Sequence, residues 1–277
     1  MVKKLYPEKH KFDYKLNKNK TPTSADYDHV IDYDCDIYDG DTVVCSYRKL
    51  DKETKTLLKA CTKKAKCTKS TRTRGVAQNS AVYGALPRVP CREDYCRFSA
   101  DTKKQPDVFF GLCKVAEKLW GIYESTYPKV AENFRSFADK INPDWRRTGT
   151  PFTTVNVNKN FAIGYHLDNA NYGDVYSNVL ITKKNAKGGY FVMPQYRVAL
   201  AQEDGALVIV DGASIPHGVT EIKPLSKDWE RSSVVFYTLS NLQHCLDQSG
   251  EVLRSKQVTM ERARKRAQKL DPRLNNG

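Results

Sequence analysis

"FTTVNVNKNFAIGYHLD" (residues 152–168) repeats β-branched and aromatic residues with a period of two and ends on a His-x-Asp pair, His166 and Asp168. A period of two is the signature of an extended strand with one face against a core. Two strands are expected here, 152–158 and 161–166. The same pattern recurs downstream in "SNVLIT" (177–182), "GYFVM" (189–193), "YRVAL" (196–200), "ALVIVD" (206–211) and "SSVVFYTL" (232–239). Short connectors such as "KNAKGG" and "EDG" separate them. Many short strands with Gly-marked turns predict a β-sandwich or jelly roll.

Upstream the period changes. In "PDVFFGLCKVAEKLWGIYESTYP" apolar residues fall three and four apart, at Val108, Leu112, Val115, Ala116, Leu119 and Ile122. That spacing predicts an amphipathic helix. Pro128 interrupts it and sits in the first turn of a second helix, whose stripe is Val130, Phe134, Phe137 and Ile141. Both helices are expected to lie against the outside of one sheet, which makes the chain α+β. The expected division is an N-terminal extension over 1–75, a folded domain over 76–245 and a basic tail with a helix-prone middle over 246–277. Within the domain, 106–141 is helical support and 150–240 the β core.

The 277 residues carry a formal net charge of +14. The excess is concentrated in two places. Residues 46–75 hold eleven Lys or Arg against Asp51 and Glu53, and 251–277 hold eight against Glu251, Glu261 and Asp271. Such runs are solvated charge, or strips that bind a polyanion, nucleic acid first. No run of about 18 apolar residues exists, so no spanning helix is expected. The N-terminus lacks the apolar segment of a secretory signal. Its eight cysteines are therefore expected as free thiols in a reducing, intracellular compartment. Cys91 and Cys96, in "CREDYC", are a further candidate zinc pair with unassigned partners.

The candidate chemistry lies in the β region. Side chains two apart on a strand share a face, so His166 and Asp168 can aim at one point. His217, in "DGASIPHGVTEI", is a third donor. His-x-Asp with a distant His is the ligand set of the non-haem Fe(II) oxygenases. Fourteen residues after His217, Arg231 opens the apolar run "RSSVVFY", with Ser233 on its face. A buried Arg needs an anionic partner. A bidentate carboxylate meets that need, and a serine hydroxyl can add a third hydrogen bond. The alternative is an internal salt bridge.

These residues, with "GTPFTTVNVNKN", "GGYFVMPQYRVAL" and the upstream "YGALPRVP", make the chain resemble the Fe(II)/2-oxoglutarate dioxygenases over about residues 74–240. Within that superfamily it looks most like the TET/JBP nucleic-acid 5-methylpyrimidine dioxygenases. The resemblance implies a double-stranded β-helix (jelly-roll, cupin-like) core. It implies iron ligation by His166, Asp168 and His217, 2-oxoglutarate held by Arg231 with Ser233, and O2 as oxidant. It also implies that Asn171 and Tyr237 meet a flipped base, the expected reaction being 5-methylcytosine to 5-hydroxymethylcytosine in DNA. Leu239 stands where TET enzymes carry a base-contacting histidine, which leaves thymine as the alternative. The cysteine-rich zinc region of animal TET proteins has no match in the sequence, so docking on DNA is expected to be built differently. RNA as substrate, a protein hydroxylase on the same core and a nucleic-acid-binding jelly roll with a degenerate metal site are the other readings. The expected state is an intracellular monomer acting away from membranes, in a nucleoid, cytoplasm or nucleus according to its host.

Overall fold

The computed structural model describes residues 2–71, 77–89, 94–146, 148–168 and 175–270. In chain order the N-terminal part supplies β1 (Lys3–Leu5), α1 (Tyr14–Asn17), β2 (His29–Ile31), β3 (Cys35–Asp39), β4 (Thr42–Lys49), α2 (Lys52–Lys64), β5 (Thr68–Thr71), β6 (Ala77–Leu86) and β7 (Arg97–Phe98). The helical part is α3 (Ala100–Lys104), α4 (Pro106–Thr126) and α5 (Pro128–Ala138). The β region follows with β8 (Thr154–Lys159), β9 (Ser177–Lys184), β10 (Ala186–Gly188), β11 (Phe191–Met193), β12 (Val198–Leu200) and β13 (Ala206–Val210). It ends with β14 (Gly218–Val219), β15 (Ile222–Pro224) and β16 (Glu230–Tyr237), before the closing helix α6 (Gln248–Leu270).

The large sheet runs β1-β3-β4-β13-β9-β16-β8-β6-β5, with β7 paired to β6; a small sheet runs β14-β11-β12-β2. Alternation along the strands explains how the layers stack. On β13, Leu207 and Ile209 face the helices, while Ala206, Val208 and Val210 face the small sheet. On β8, Val155 and Val157 join the core beneath the helices. Their neighbours Asn156 and Asn158 point into the cavity on the other side. The helical spacing is realised as read: Val108, Leu112, Val115, Ala116 and Leu119 of α4 and Phe134 of α5 are buried in that same core. Trp120 meets Phe134 and Phe152 edge-on, at centroid distances of 5.9 and 5.8 Å.

The structure departs from the sequence reading in four places. Residues 2–71, the described part of the expected extension, pack into the domain. Strand β4 pairs antiparallel with β13 from Ala206↔Lys49 to Val210↔Cys45, and β2 adds a parallel edge to β12. The first basic block holds a helix, α2, which buries Thr54, Leu58, Cys61 and Thr62 and places Lys55 and Lys59 against Asp204 at 3.0 and 2.9 Å. Residues 161–166 do not make the expected strand. Gly164 lies so close to the turn after α1 that an added Cβ would overlap the backbone oxygen of Asn19, and the segment threads past that turn with a single bridge, at His166. Finally, Cys96 and Cys245 form a disulfide with a Cα–Cα distance of 5.9 Å, which removes Cys96 from the proposed zinc pair; Cys91 lies outside the described residues. The remaining described cysteines, Cys35, Cys45, Cys61, Cys67 and Cys113, are free thiols.

The C-terminal tail is also ordered at its start. Glu251, 1 % exposed, accepts hydrogen bonds from the Cys96 and Leu246 backbone N–H groups at 2.7 and 3.0 Å and from the Arg88 Nε at 3.1 Å. Burial pushes this carboxyl's pKa up, but Arg88 and the two N–H groups outweigh that and hold it below its ordinary value. Arg88 is thereby committed to α6.

Candidate active site

His166 and His217 come together although 51 positions separate them in the chain. Each backbone N–H donates to the other's carbonyl, at 2.9 and 3.1 Å, making an isolated antiparallel bridge. Their rings stand 4.3 Å apart. Asp168 is fixed by its own N–H to the Gly212 carbonyl at 2.8 Å. A side chain at Gly212 would meet Asp168 Oδ2 at 2.5 Å and Ser177 Oγ at 2.7 Å, so the aspartate needs a residue without Cβ at this point.

The three donors converge. Asp168 Oδ1 is 3.4 Å from His166 Nε2, and Oδ2 is 3.7 Å from His217 Nε2. One donor atom from each residue falls within 4.8 Å of the other two. The histidine tautomers follow from their other nitrogens. His166 Nδ1 lies 3.0 Å from the Gly164 carbonyl and His217 Nδ1 2.8 Å from that of Ile215. A carbonyl only accepts, so Nδ1 carries a proton and Nε2 is the nitrogen turned toward the aspartate. Hydrogen bonding to the distal nitrogen is also what orients a metal-binding imidazole. Burial and then His166 push the His217 pKa down to about 4, which keeps it neutral at physiological pH. Burial works to raise the Asp168 pKa, yet His217, His166 and Ser177 together hold it well below the carboxylate range. Two imidazoles and one carboxylate converging on one point fit a divalent cation. Phe191 stacks on the His217 ring at 5.0 Å and fixes its tilt.

These residues border a cavity of about 580 Å³ between the two sheets, a volume in the usual range for small-molecule sites. Arg231, Ser233, Val235 and Tyr237 of β16 line it along one wall, with Asn156 and Asn158 of β8 beside them. From Arg231 to Tyr237 the wall runs about 20 Å, at roughly 3.3 Å per residue. Arg231 is 2 % exposed. Its Nη1 donates to the Phe161 carbonyl at 3.2 Å, its Nη2 donates to Gln202 Oε1, and its Nε has no partner. Gln202 Nε2 is also buried without a partner. Among the described residues no carboxylate pairs with Arg231, so the internal salt bridge is absent. Burial alone lowers its pKa to about 10, and the guanidinium stays charged at neutral pH. A buried, uncompensated cation with unused donors facing a cavity fits an anionic ligand. Ser233, 9 % exposed, lies two residues along the same face.

Residues 81–240 match the Tet_JBP family, the oxygenase domain of the 2OGFeDO superfamily. The chain belongs to the Tet_JBP family. The matched region is an oxygenase domain of the 2OGFeDO superfamily, whose members in general use Fe(II), 2-oxoglutarate and O2. Among curated relatives of this Tet_JBP domain is the bifunctional helicase and thymine dioxygenase JBP2 of Trypanosoma brucei brucei. It is 28 % identical over 143 residues, 51 % of this chain and 13 % of JBP2. Thymine dioxygenase JBP1 of the same organism is 26 % identical over 180 residues, 63 % of this chain and 21 % of JBP1. The chain therefore spans a small part of the curated relatives it matches. Among solved structures, NgTET1 in complex with 5mC DNA superposes with a TM-score of 0.62 at 11 % identity, covering 92 % of this chain and 90 % of that one. That likeness establishes the α+β double-stranded β-helix fold, with its helices on the large sheet.

Of the residues singled out from sequence, the structure brings His166, Asp168, His217, Arg231, Ser233 and Tyr237 to one cavity. Asn171 lies outside the described residues. Sequence reasoning missed Gln202, Asn156 and Asn158. The two asparagines carried a signal: polar residues at alternate positions of a strand whose other face is Val155 and Val157. Gln202 carried none, because nothing local marks the second residue after β12 as the partner of an arginine 29 positions away.

Proposed function

We propose that the chain oxidises the 5-methyl group of a pyrimidine base in DNA. The observation that carries the co-substrate half of this reading is Arg231, a buried guanidinium without a carboxylate, in the same cavity as the convergent His166, Asp168 and His217. In this reading the two Nε2 atoms and the Asp168 carboxylate hold Fe(II), and Arg231 with Ser233 holds the distal carboxylate of 2-oxoglutarate. Iron bound there supplies the oxygen activation by which 2-oxoglutarate is oxidatively decarboxylated to succinate and CO2, one atom of O2 entering succinate and the other the methyl C–H bond.

The remaining steps belong to the chain's own side chains. Ionised Asp168 and the Nε2 atoms of His166 and His217 converge on one side of the site. Apolar side chains of Val82, Val179, Val219 and Val235 line the cavity beside these groups. A methyl group inside a duplex cannot reach a buried site, so the base is flipped out or taken from a single strand. Tyr237 and Leu239, at the end of the wall away from Arg231, pack against it.

Two methylpyrimidines fit this description. 5-Methylcytosine is the substrate drawn from the resemblance to TET. Thymine is favoured by two observations: Leu239 offers no polar atom to a cytosine edge, and the relatives named above are thymine dioxygenases. Duplex DNA containing either base, incubated with Fe(II), 2-oxoglutarate and O2, is expected to give the 5-hydroxymethyl nucleoside by mass spectrometry with one succinate per product. Succinate without base oxidation overturns the substrate and leaves the oxygenase. An enzyme acting on genomic DNA works inside the cell or its nucleus; no described helix is long and apolar enough to cross a membrane.

A further inference from the structure

The helix α6 changes character along its length. At its start Glu251 and Val258, 1 % and 6 % exposed and seven residues apart, form one buried seam. Residues at i+4 and i+7 continue the same stripe of a helix. Carried forward, that stripe runs into Arg262, Lys265, Arg266 and Lys269. From Ala263 to Lys269 every side chain except half-buried Gln268 is exposed. The packing face has thus become a cationic one where the body of the domain ends.

The acids of the helix do not neutralise it. Glu251 is buried against Arg88 and backbone N–H groups. Glu261 serves Arg264 and Lys265, at 3.7 and 3.5 Å. Among the described residues Lys256, Arg266 and Lys269 have no acidic partner. A solvated helix half with this excess repels itself and gains nothing from packing. Charge left unpaired in this way is complementary to a polyanion.

Position decides which part of the molecule that polyanion meets. Leu239, at the cavity's far end from Arg231, is followed at once by the turn Ser240–His244 and by Cys245, which is bonded to Cys96. Cys96 lies beside β7, and β7 pairs with Ala85 and Leu86 of β6, Leu86 lining the same end of the cavity. Trp145 Nε1 donates to the Leu246 carbonyl at 2.7 Å, and Arg254 Nε donates to the Asp94 carbonyl at 2.9 Å, so the root of α6 is fixed on that rim. The 23 residues of α6 reach about 35 Å at 1.5 Å each, close to one turn of duplex DNA.

We propose that the distal half of α6 is a phosphate-binding strut that holds the DNA backbone flanking the target base beside the cavity mouth. This rests on the reading of DNA as substrate. Its test uses the full chain and the triple variant Arg264→Gln/Arg266→Gln/Lys269→Gln, with Arg264→Lys/Arg266→Lys as charge-preserving control. Binding of a fluorescein-labelled 20-base-pair duplex is followed by anisotropy over a range of salt. The triple variant is expected to bind about ten-fold or more weakly at 0.1 M salt, with a salt slope lower by roughly two to three, since each phosphate contact contributes about 0.9. The lysine control is expected to keep wild-type affinity, and succinate formation without DNA to stay unchanged in both.

An unchanged slope overturns the strut. So does loss of binding to phosphatidylserine vesicles with DNA affinity intact, which assigns the helix to a membrane surface, where exposed Leu253 and Met260 would insert. If wild-type protein shows the salt-dependent loss but no oxidised base, the substrate reading fails and the strut stands. If it oxidises the base and the triple variant binds as wild type, the strut alone fails.

Discussion

Two clusters among the described residues have three metal-capable donors within 4.8 Å: His166, Asp168 and His217, and Cys96, Cys245 and Glu251. They differ in what their lone pairs already do. In the second, the sulfurs are bonded to each other and the carboxylate is saturated by Arg88, Cys96 N–H and Leu246 N–H. In the first, each imidazole uses only its Nδ1, and the Asp168 oxygens face the two Nε2 atoms beside a cavity. Proximity of donors is therefore a poor criterion for a metal centre. Spare valence beside an open volume is a better one. The disulfide cluster is a clamp that fixes α6; the imidazole cluster is the candidate site.

The contrast breaks most sharply at the triad. His166→Ala combined with Asp168→Ala is expected to cut base oxidation by about 10³-fold or more, from the loss of metal-assisted chemistry, while duplex affinity by anisotropy stays within about two-fold. Retained turnover would remove the iron assignment. Next comes Arg231→Met. Truncating one side of a buried charged pair costs about 2–5 kcal/mol in binding, so KM for 2-oxoglutarate is expected to rise about 100-fold. The ligand-free variant is expected to melt higher than wild type, because an uncompensated buried cation is gone. Added 2-oxoglutarate should raise the wild-type Tm and leave the variant's unmoved.

At the clamp the expected signs reverse. Cys245→Ser opens a crosslink spanning 149 positions and is expected to cost about 2–4 kcal/mol of stability by denaturant titration, with iron stoichiometry unchanged. Glu251→Gln is the smallest effect, about 1–2 kcal/mol. It also alters the acid limb. A carboxyl held below its ordinary value of 4.5 contributes fully above that pH, and the contribution is lost as pH falls through the folded-state value. The glutamine variant should therefore show a flatter stability profile below about pH 4.5, read by circular dichroism.

Most of the candidate site was legible in the sequence because it lay in short-range patterns. His-x-Asp, the later His217 and an arginine opening an apolar strand are each visible within a few residues. What was not legible depended on distance or on a louder signal. The eleven cations of 46–75 masked the stripe Thr54, Leu58, Cys61 and Thr62, so a packed helix read as charge. The pairing of β4 with β13 joins segments about 160 positions apart, and no local pattern announces it. Residues 161–166 alternate well enough for a strand, yet the turn after α1 occupies the side where a ladder partner would lie. The cysteine pairing failed for the same reason as Gln202: a contact across the fold has no shadow in the neighbouring sequence.

The bridge between His166 and His217 has a consequence for how a metal held there is gained and lost. His166 and His217 share a pair of reciprocal backbone hydrogen bonds, so opening of that bridge would loosen both imidazoles together. Hydrogen exchange at the His166 and His217 amides is its gauge.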